Sequence, residues 1–198
     1  MAISILNRNP KANLALSRRF ANLSLDRPLI MGIVNVTPDS FTDGGDFFDA
    51  DAAIKHGLQL LQEGADILDI GGESTRPGAT PVTSDEEAER VLPVITELAK
   101  TGTLISIDSR HADVMGKALA AGASILNDVT ALEGEGSLDV AAQSSAPVIL
   151  MHMKGQPATM MDDPSYEDVV SEVSDYLAQR IEICLAAGIA KERIAIDP

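Results

Sequence analysis

Several short apolar runs in this chain end on a side chain that can hydrogen-bond or carry charge: Asn35, Asp69, Asp108, Asn127 with Asp128, His152 and Asp197. Two of the runs pass directly into polar, glycine-rich loops. The first spans Met31 to Gly45 and reads MGIVNVTPDSFTDGG; the second spans Ile67 to Ala79 and reads ILDIGGESTRPGA. Carboxylates, amides, hydroxyls and one arginine are groups that recognise and orient a ligand by hydrogen bonds and charge. Nothing in the pattern resembles an activated Ser or Cys nucleophile. The single cysteine, Cys184, excludes an internal disulfide and a CxxC zinc site, and its helical surroundings read as core. His152 has no second ligand nearby in sequence, so it reads as a satisfied core histidine and not as a metal ligand.

One polar residue at a strand end is ordinary solvation. A succession of them points to side chains gathered around one mouth. The intervals between apolar runs, roughly 25 to 40 residues, suit βα units. Strands are expected at Leu29–Val36, Ile67–Ile70, Leu104–Asp108, Ile125–Asp128, Val148–His152 and Ile194–Asp197, all parallel. Helices are expected at Asp49–Glu63, Asp85–Lys100, Ala112–Ala121, Leu138–Gln143 and Tyr166–Ala187. Ser84 and Glu87 have the spacing of a capping box, and Gly64, Gly102, Gly122 and Gly188 stand where helices should stop. The fold class is therefore α/β of the (β/α)8 barrel type, with its site at the carboxyl ends of the strands. A doubly wound sheet would normally carry a glycine-rich phosphate loop after its first strand; here that place holds Asn35-Val36-Thr37-Pro38-Asp39.

Composition narrows the partners. With 198 residues, 45% of them apolar, the chain can bury a substantial core. Fifteen Lys and Arg against 30 Asp and Glu leave a formal charge of −15, which repels nucleic acid and anionic membranes and favours a small molecule. An anionic ligand would need local cations, a metal ion or helix N-termini. No apolar run approaches the roughly 18 residues of a membrane span, no export signal is evident, and the expected compartment is the cytoplasm.

The two loop motifs, with ISIDS (Ile105–Ser109), ILNDV (Ile125–Val129), LMHMKG (Leu150–Gly155) and IDP (Ile196–Pro198), resemble those of the dihydropteroate synthase family. That family builds a (β/α)8 barrel and joins p-aminobenzoate to the methylene of 6-hydroxymethyl-7,8-dihydropterin diphosphate, releasing pyrophosphate with Mg2+ assisting. The resemblance runs from about Leu29 to Pro198 and leaves residues 1–28 as an N-terminal extension or hairpin. It implies that Asn35 is associated with Mg2+, where a neutral amide oxygen suits a hard ion bound mainly through diphosphate oxygens. It implies that Thr75, Asp108, Asn127, Met153 and Asp197 bind the pterin diphosphate, with Met151 a further candidate against the flat ring. Ser40 and Phe41, and Ser74, Thr75, Arg76 and Pro77, are implied in the p-aminobenzoate loops; Asp39 and Arg76 are the implied catalytic residues. From the residues alone, Asn35 serves equally as a turn cap before Pro38, and the acids serve equally as structural groups at strand ends.

The same resemblance implies two more βα units after Pro198, carrying a Lys and an Arg-x-His motif toward the anionic end of the substrate. The expectation is thus an incomplete barrel, with the family's homodimer belonging to the full-length enzyme and the oligomeric state of this chain open. Two other readings stand beside the synthase: a methyltetrahydrofolate-type pterin-binding module, and a non-catalytic fragment. The S-T-R-P-G and T-P-D-S-F loops favour the synthase, since methyl transfer needs neither an arylamine site nor a diphosphate clamp.

Overall fold

The computed structural model describes residues 19–37, 50–74, 82–155 and 164–198. A short antiparallel pair, β1 (Arg19–Phe20) and β2 (Leu23–Ser24), turns through Ala21 and Asn22, both in the left-handed region. Six strands follow: β3 (Met31–Asn35), β4 (Ile67–Gly71), β5 (Leu104–Asp108), β6 (Ile125–Asp128), β7 (Val148–Met151) and β8 (Ile194–Asp197). Each is parallel to its neighbour, and the spatial order is the chain order. A sheet without a reversal of order has no switch point, as a barrel requires and a doubly wound sheet does not. Among the described residues β3 and β8 remain the two edges, so the sheet is a partial barrel.

Between the strands lie α1 (Ala50–Gln62), α2 (Ser84–Ala99), α3 (Ala112–Ala121), α4 (Ser137–Gln143) and α5 (Val169–Ala186). The strand period of two sorts the side chains into two faces. Leu68, Ile70, Ile105, Ile107, Leu126, Val148 and Leu150 are fully buried within the same apolar cluster as the inward stripes of the helices. Each such side chain contributes roughly 1.5–3 kcal/mol through its removal from water. Gly32 and Gly57 let α1 approach closely, since a Cβ at Gly57 would stand 2.7 Å from Leu98. The opposite face carries Ile33, half exposed, and the polar strand ends.

Gly64, Gly102, Gly122 and Gly188 all take left-handed backbone after their helices, which makes the returns to the next strand tight. The N-terminus of α2 departs from expectation by one residue. Thr83 and Glu86 form its capping box, with Thr83 Oγ1 accepting from the Glu86 amide at 3.2 Å and Glu86 Oε2 accepting from the Thr83 amide at 2.9 Å. Ser84 is already helical, and Glu87 is thereby turned inward on the stripe of Val91, Val94 and Leu98.

Candidate active site

Strand register sets the mouth. Asn35, Gly71, Asp108 and Asn127 are successive partners across β3 to β6, so the side chains of Asn35, Asp108 and Asn127 point to one face at one level. One layer deeper, Ile33, Asp69, Ser106 and Ile125 repeat the alignment. Asn127 Nδ2 donates to Asp69 Oδ2 at 3.1 Å, joining the layers. Gly71 keeps the space beside Asp108 open, since a Cβ there would lie 3.4 Å from Asp108 Oδ2.

These acids are costly to ionise. Asp108 is only partly exposed, and protein surrounds its carboxyl on most sides. Burial, followed by the negative charges of Asp69, Glu87, Asp128 and Glu73, pushes it up to about 8. Burial also raises Asp69, against the pull of its hydrogen bonds. Asp69 Oδ1 and Ser106 Oγ are buried and have no hydrogen-bond partner among the described residues. Unmet polar atoms in a folded interior are uncommon and mark where a ligand's donors and acceptors belong.

The β4–α2 connection is anchored at its base. Arg110 holds Glu73 with two bonds, Nε to Oε2 at 2.8 Å and Nη2 to Oε1 at 2.9 Å, and the Val82 amide reaches Glu73 Oε1 at 3.4 Å. Burial alone would raise Glu73, but the Arg110 hydrogen bonds and charge outweigh it and hold the carboxyl below its ordinary value. Arg90 donates to the Gly72 carbonyl at 2.9 Å. Behind β5, Glu87 Oε2 accepts from Ser109 Oγ at 3.0 Å and stands 2.6 Å from His111 Nδ1.

Asp128 and His152 do not join the mouth. Asp128 pairs in register with Leu150 on the helix side, where its carboxylate accepts from the amides of Thr130 and Leu132. Those bonds hold Ala131 and Leu132 in left-handed backbone, and Arg180 Nε donates to the Ala131 carbonyl at 2.9 Å. His152 packs edge-on against Tyr176, with ring centroids 5.2 Å apart, and tilted against Tyr166. The expected ring of polar strand ends is therefore narrower, because a strand's last residues alternate between faces and the runs do not all end in phase.

Of the residues singled out from sequence, Asn35 is exposed at the end of β3 and Ser74 is half-buried at the start of the β4–α2 connection. Asp197 is exposed at the end of edge strand β8, opposite Met151, and its carbonyl accepts the His152 amide at 2.8 Å. Met153 lines a neighbouring groove of about 640 Å³ with His111, Thr130 and Tyr176. Asp39, Ser40, Phe41, Thr75, Arg76 and Pro77 lie outside the described residues. Sequence reading missed the Glu73–Arg110 clasp and the Glu87–His111 pair. Glu87 carried a signal: it precedes Val91 by four residues and Val94 by seven, on the buried stripe.

A sequence profile of the family described as pterin binding enzyme matches residues 31–198. This chain belongs to the pterin-binding enzyme family. It is 54% identical over 179 residues to the dihydropteroate synthase of Neisseria meningitidis serogroup B, a match covering 89% of this chain and 63% of that enzyme. Its fold superposes on Xanthomonas albilineans dihydropteroate synthase with 4-aminobenzoic acid at TM-score 0.82 and 55% identity, covering 89% of this chain and 63% of the other. The Yersinia pestis dihydropteroate synthase in a sulfonamide drug complex gives TM-score 0.84 at 46% identity, covering 89% and 64%. The chain thus spans about 63% of the length of the first relatives it matches. Both solved structures are similar to this family member over most of its length and support the barrel fold.

Proposed function

We propose that this chain carries the pterin-binding part of a dihydropteroate synthase, condensing 6-hydroxymethyl-7,8-dihydropterin diphosphate with p-aminobenzoate to give 7,8-dihydropteroate and pyrophosphate. The observation that carries the reading is the adjacency of Asp108 and Asn127 at one level of the mouth, above Asp69 Oδ1 and Ser106 Oγ, which lack partners among the described residues. A pterin edge offers a 2-amino group beside a ring N–H, and a carboxylate accepts both at once. Burial discourages the bare anion at Asp108; two donors from the ligand would restore it, so binding near neutral pH should release a proton.

The reaction is a substitution at the pterin methylene. The carbon–oxygen bond to the diphosphate breaks, the arylamine nitrogen forms the new bond and loses a proton, and pyrophosphate departs with the electron pair. Asp108 and Asn127 would hold the ring, and Asp197 and Met153 would complete its enclosure. The loop residues Asp39, Ser40 and Phe41, with Ser74, Thr75, Arg76 and Pro77, would orient the amine and exclude water. Arg76 offers the charge that a departing pyrophosphate requires. Asn35 fits Mg2+, because its exposed neutral amide oxygen at the mouth suits an ion held chiefly by substrate oxygens; the ion would stabilise the leaving group's charge. We place the enzyme in the cytoplasm, from its cysteine usage, and assign the family's homodimer to the full-length enzyme.

The test is pyrophosphate release from the pterin diphosphate, with and without p-aminobenzoate and Mg2+. It should compare this chain with a version extended by the C-terminal third of a relative. Release that depends on p-aminobenzoate in either version supports the reading. Absence of release in both overturns it, and methyl exchange with a corrinoid protein would then favour the methyltetrahydrofolate-type module.

A further inference from the structure

Glu87 has no place in the chemistry described above, yet it is the most conspicuous titratable group outside the mouth. Its side chain is fully buried. Oε2 is saturated by Ser109 and His111, whereas Oε1 has no hydrogen-bond partner among the described residues. The His111 amide donates to Ser109 Oγ at 3.1 Å, which closes the group on itself. The stem of Glu87 supports the other wall as well, because a Cβ on Gly72 would stand 2.9 Å from Glu87 Cγ. The Glu87 side chain therefore meets the residue after Asp108 with its carboxylate and lies with its stem beside the glycine two positions before Ser74.

A buried, half-satisfied carboxylate costs stability that packing alone does not explain. The acids facing Asp108 are Asp69, Glu87, Asp128 and Glu73. Glu73 is clasped by Arg110, and Asp128 is held by the loop amides. Asp69 accepts from the neutral Asn127 amide and has no cation beside it among the described residues. The groups facing Glu87 are His111 and Glu73, with Arg110 beside them and Arg90 on its own helix turned to the Gly72 carbonyl. Among these acids, Glu87 alone is paired with a group that is charged only when protonated.

We propose that the Glu87–His111 pair is a positioning and charge-setting device behind the mouth, whose protonation state decides whether Asp108 is presented to the pterin as an anion. With its proton, the pair is neutral overall and Asp108 ionises readily. Without it, an uncompensated negative charge stands behind β5 and Asp108 keeps its proton. The inference rests on the reading that Asp108 faces the pterin, but its test does not.

The Asp108 carboxyl is titrated by 13C NMR in the unliganded chain, with Asp108→Asn as the assignment control. Glu87→Gln should move its midpoint down by about one pH unit, the size of effect expected when a nearby like charge is removed. His111→Lys, which places a permanent cation against Glu87 at a partly exposed position, should move it in the same direction. His111→Gln, which adds no charge, should not lower it. An Asp108 midpoint unmoved by Glu87→Gln and His111→Lys overturns the proposal; if Glu87→Gln fails to fold, His111→Lys decides alone. A wild-type chain that titrates as expected but does not bind the pterin diphosphate would count against the proposed function and leave this pair standing.

Discussion

Two groups of carboxylates lie close together in this molecule and are treated in opposite ways. At the corner between the β4–α2 and β5–α3 connections, Glu73 has Arg110 and Glu87 has His111. Across the mouth, Asp69 and Asp108 have no ion-pair partner among the described residues; burial raises both, and the charge of Asp69 raises Asp108 further. The contrast separates scaffold from site. A paired acid stabilises the backbone it grips, while a buried unpaired acid weakens the fold and is explained by what it binds.

The largest test of that contrast is Asp108→Asn. Pterin affinity should fall roughly 10- to 100-fold, the usual scale for a lost charged hydrogen bond, in equilibrium binding measurements. Stability should move the other way. Because burial and the neighbouring acids push the folded carboxyl up to about 8, against about 4 in the unfolded chain, the folded state binds the extra proton between those values, so the wild type loses stability as pH rises from 4 to 8. The Asn variant lacks this loss. Allowing for the group's partial exposure, it should be the more stable by on the order of 2 kcal/mol at pH 8.5, and urea melts at pH 5 and 8.5 would show it.

On the paired side, Arg110→Ala leaves Glu73 half-buried without its cation and should cost roughly 1–3 kcal/mol in the same melts. Arg110→Lys should recover only part, because an ammonium cannot make the two-pronged contact. Gly72→Ala tests where the two groups meet: its Cβ would lie 2.8 Å from Val91 Cγ1 and 2.9 Å from Glu87 Cγ. We expect about 1–3 kcal/mol of destabilisation from this overpacking. The smallest effect should come from Arg27→Ala. Arg27 bridges to Asp66 from a side chain that is 62% exposed, and its loss should leave the melting temperature at pH 7 nearly unchanged. The pair holds Asp66 down at about 2, so any contribution is present above pH 4 and disappears as pH falls through 2.

Much of the fold was legible because it depends on local rules. The apolar runs became β3 to β8 with shifts of a residue or two, and the glycines after the helices took left-handed backbone where a stop was needed. Helix α5 begins later than expected, at Val169, because Asp168 caps it by accepting from the Ser171 amide. The chemistry-bearing residues were also legible as types. Which of them meet was not. Asp128 stands at a strand end as plainly as Asp108 does, and only the phase of β6 against its neighbours turned it to the helix side, while His152 lies just past β7 and packs against Tyr176.

The sequence by itself therefore determined the element order, the parallel βα alternation and the stock of hydrogen-bonding groups at the strand ends, since these follow from periodicity and from residue chemistry. The tertiary structure alone decided the alignment of Asn35, Gly71, Asp108 and Asn127 at one level, the Glu73–Arg110 clasp across 37 positions, and the pairing of Glu87 with His111 across 24. The physical reason is that register and helix packing are properties of several segments at once. A carboxylate's charge, moreover, depends on neighbours that only the packed sheet brings within reach.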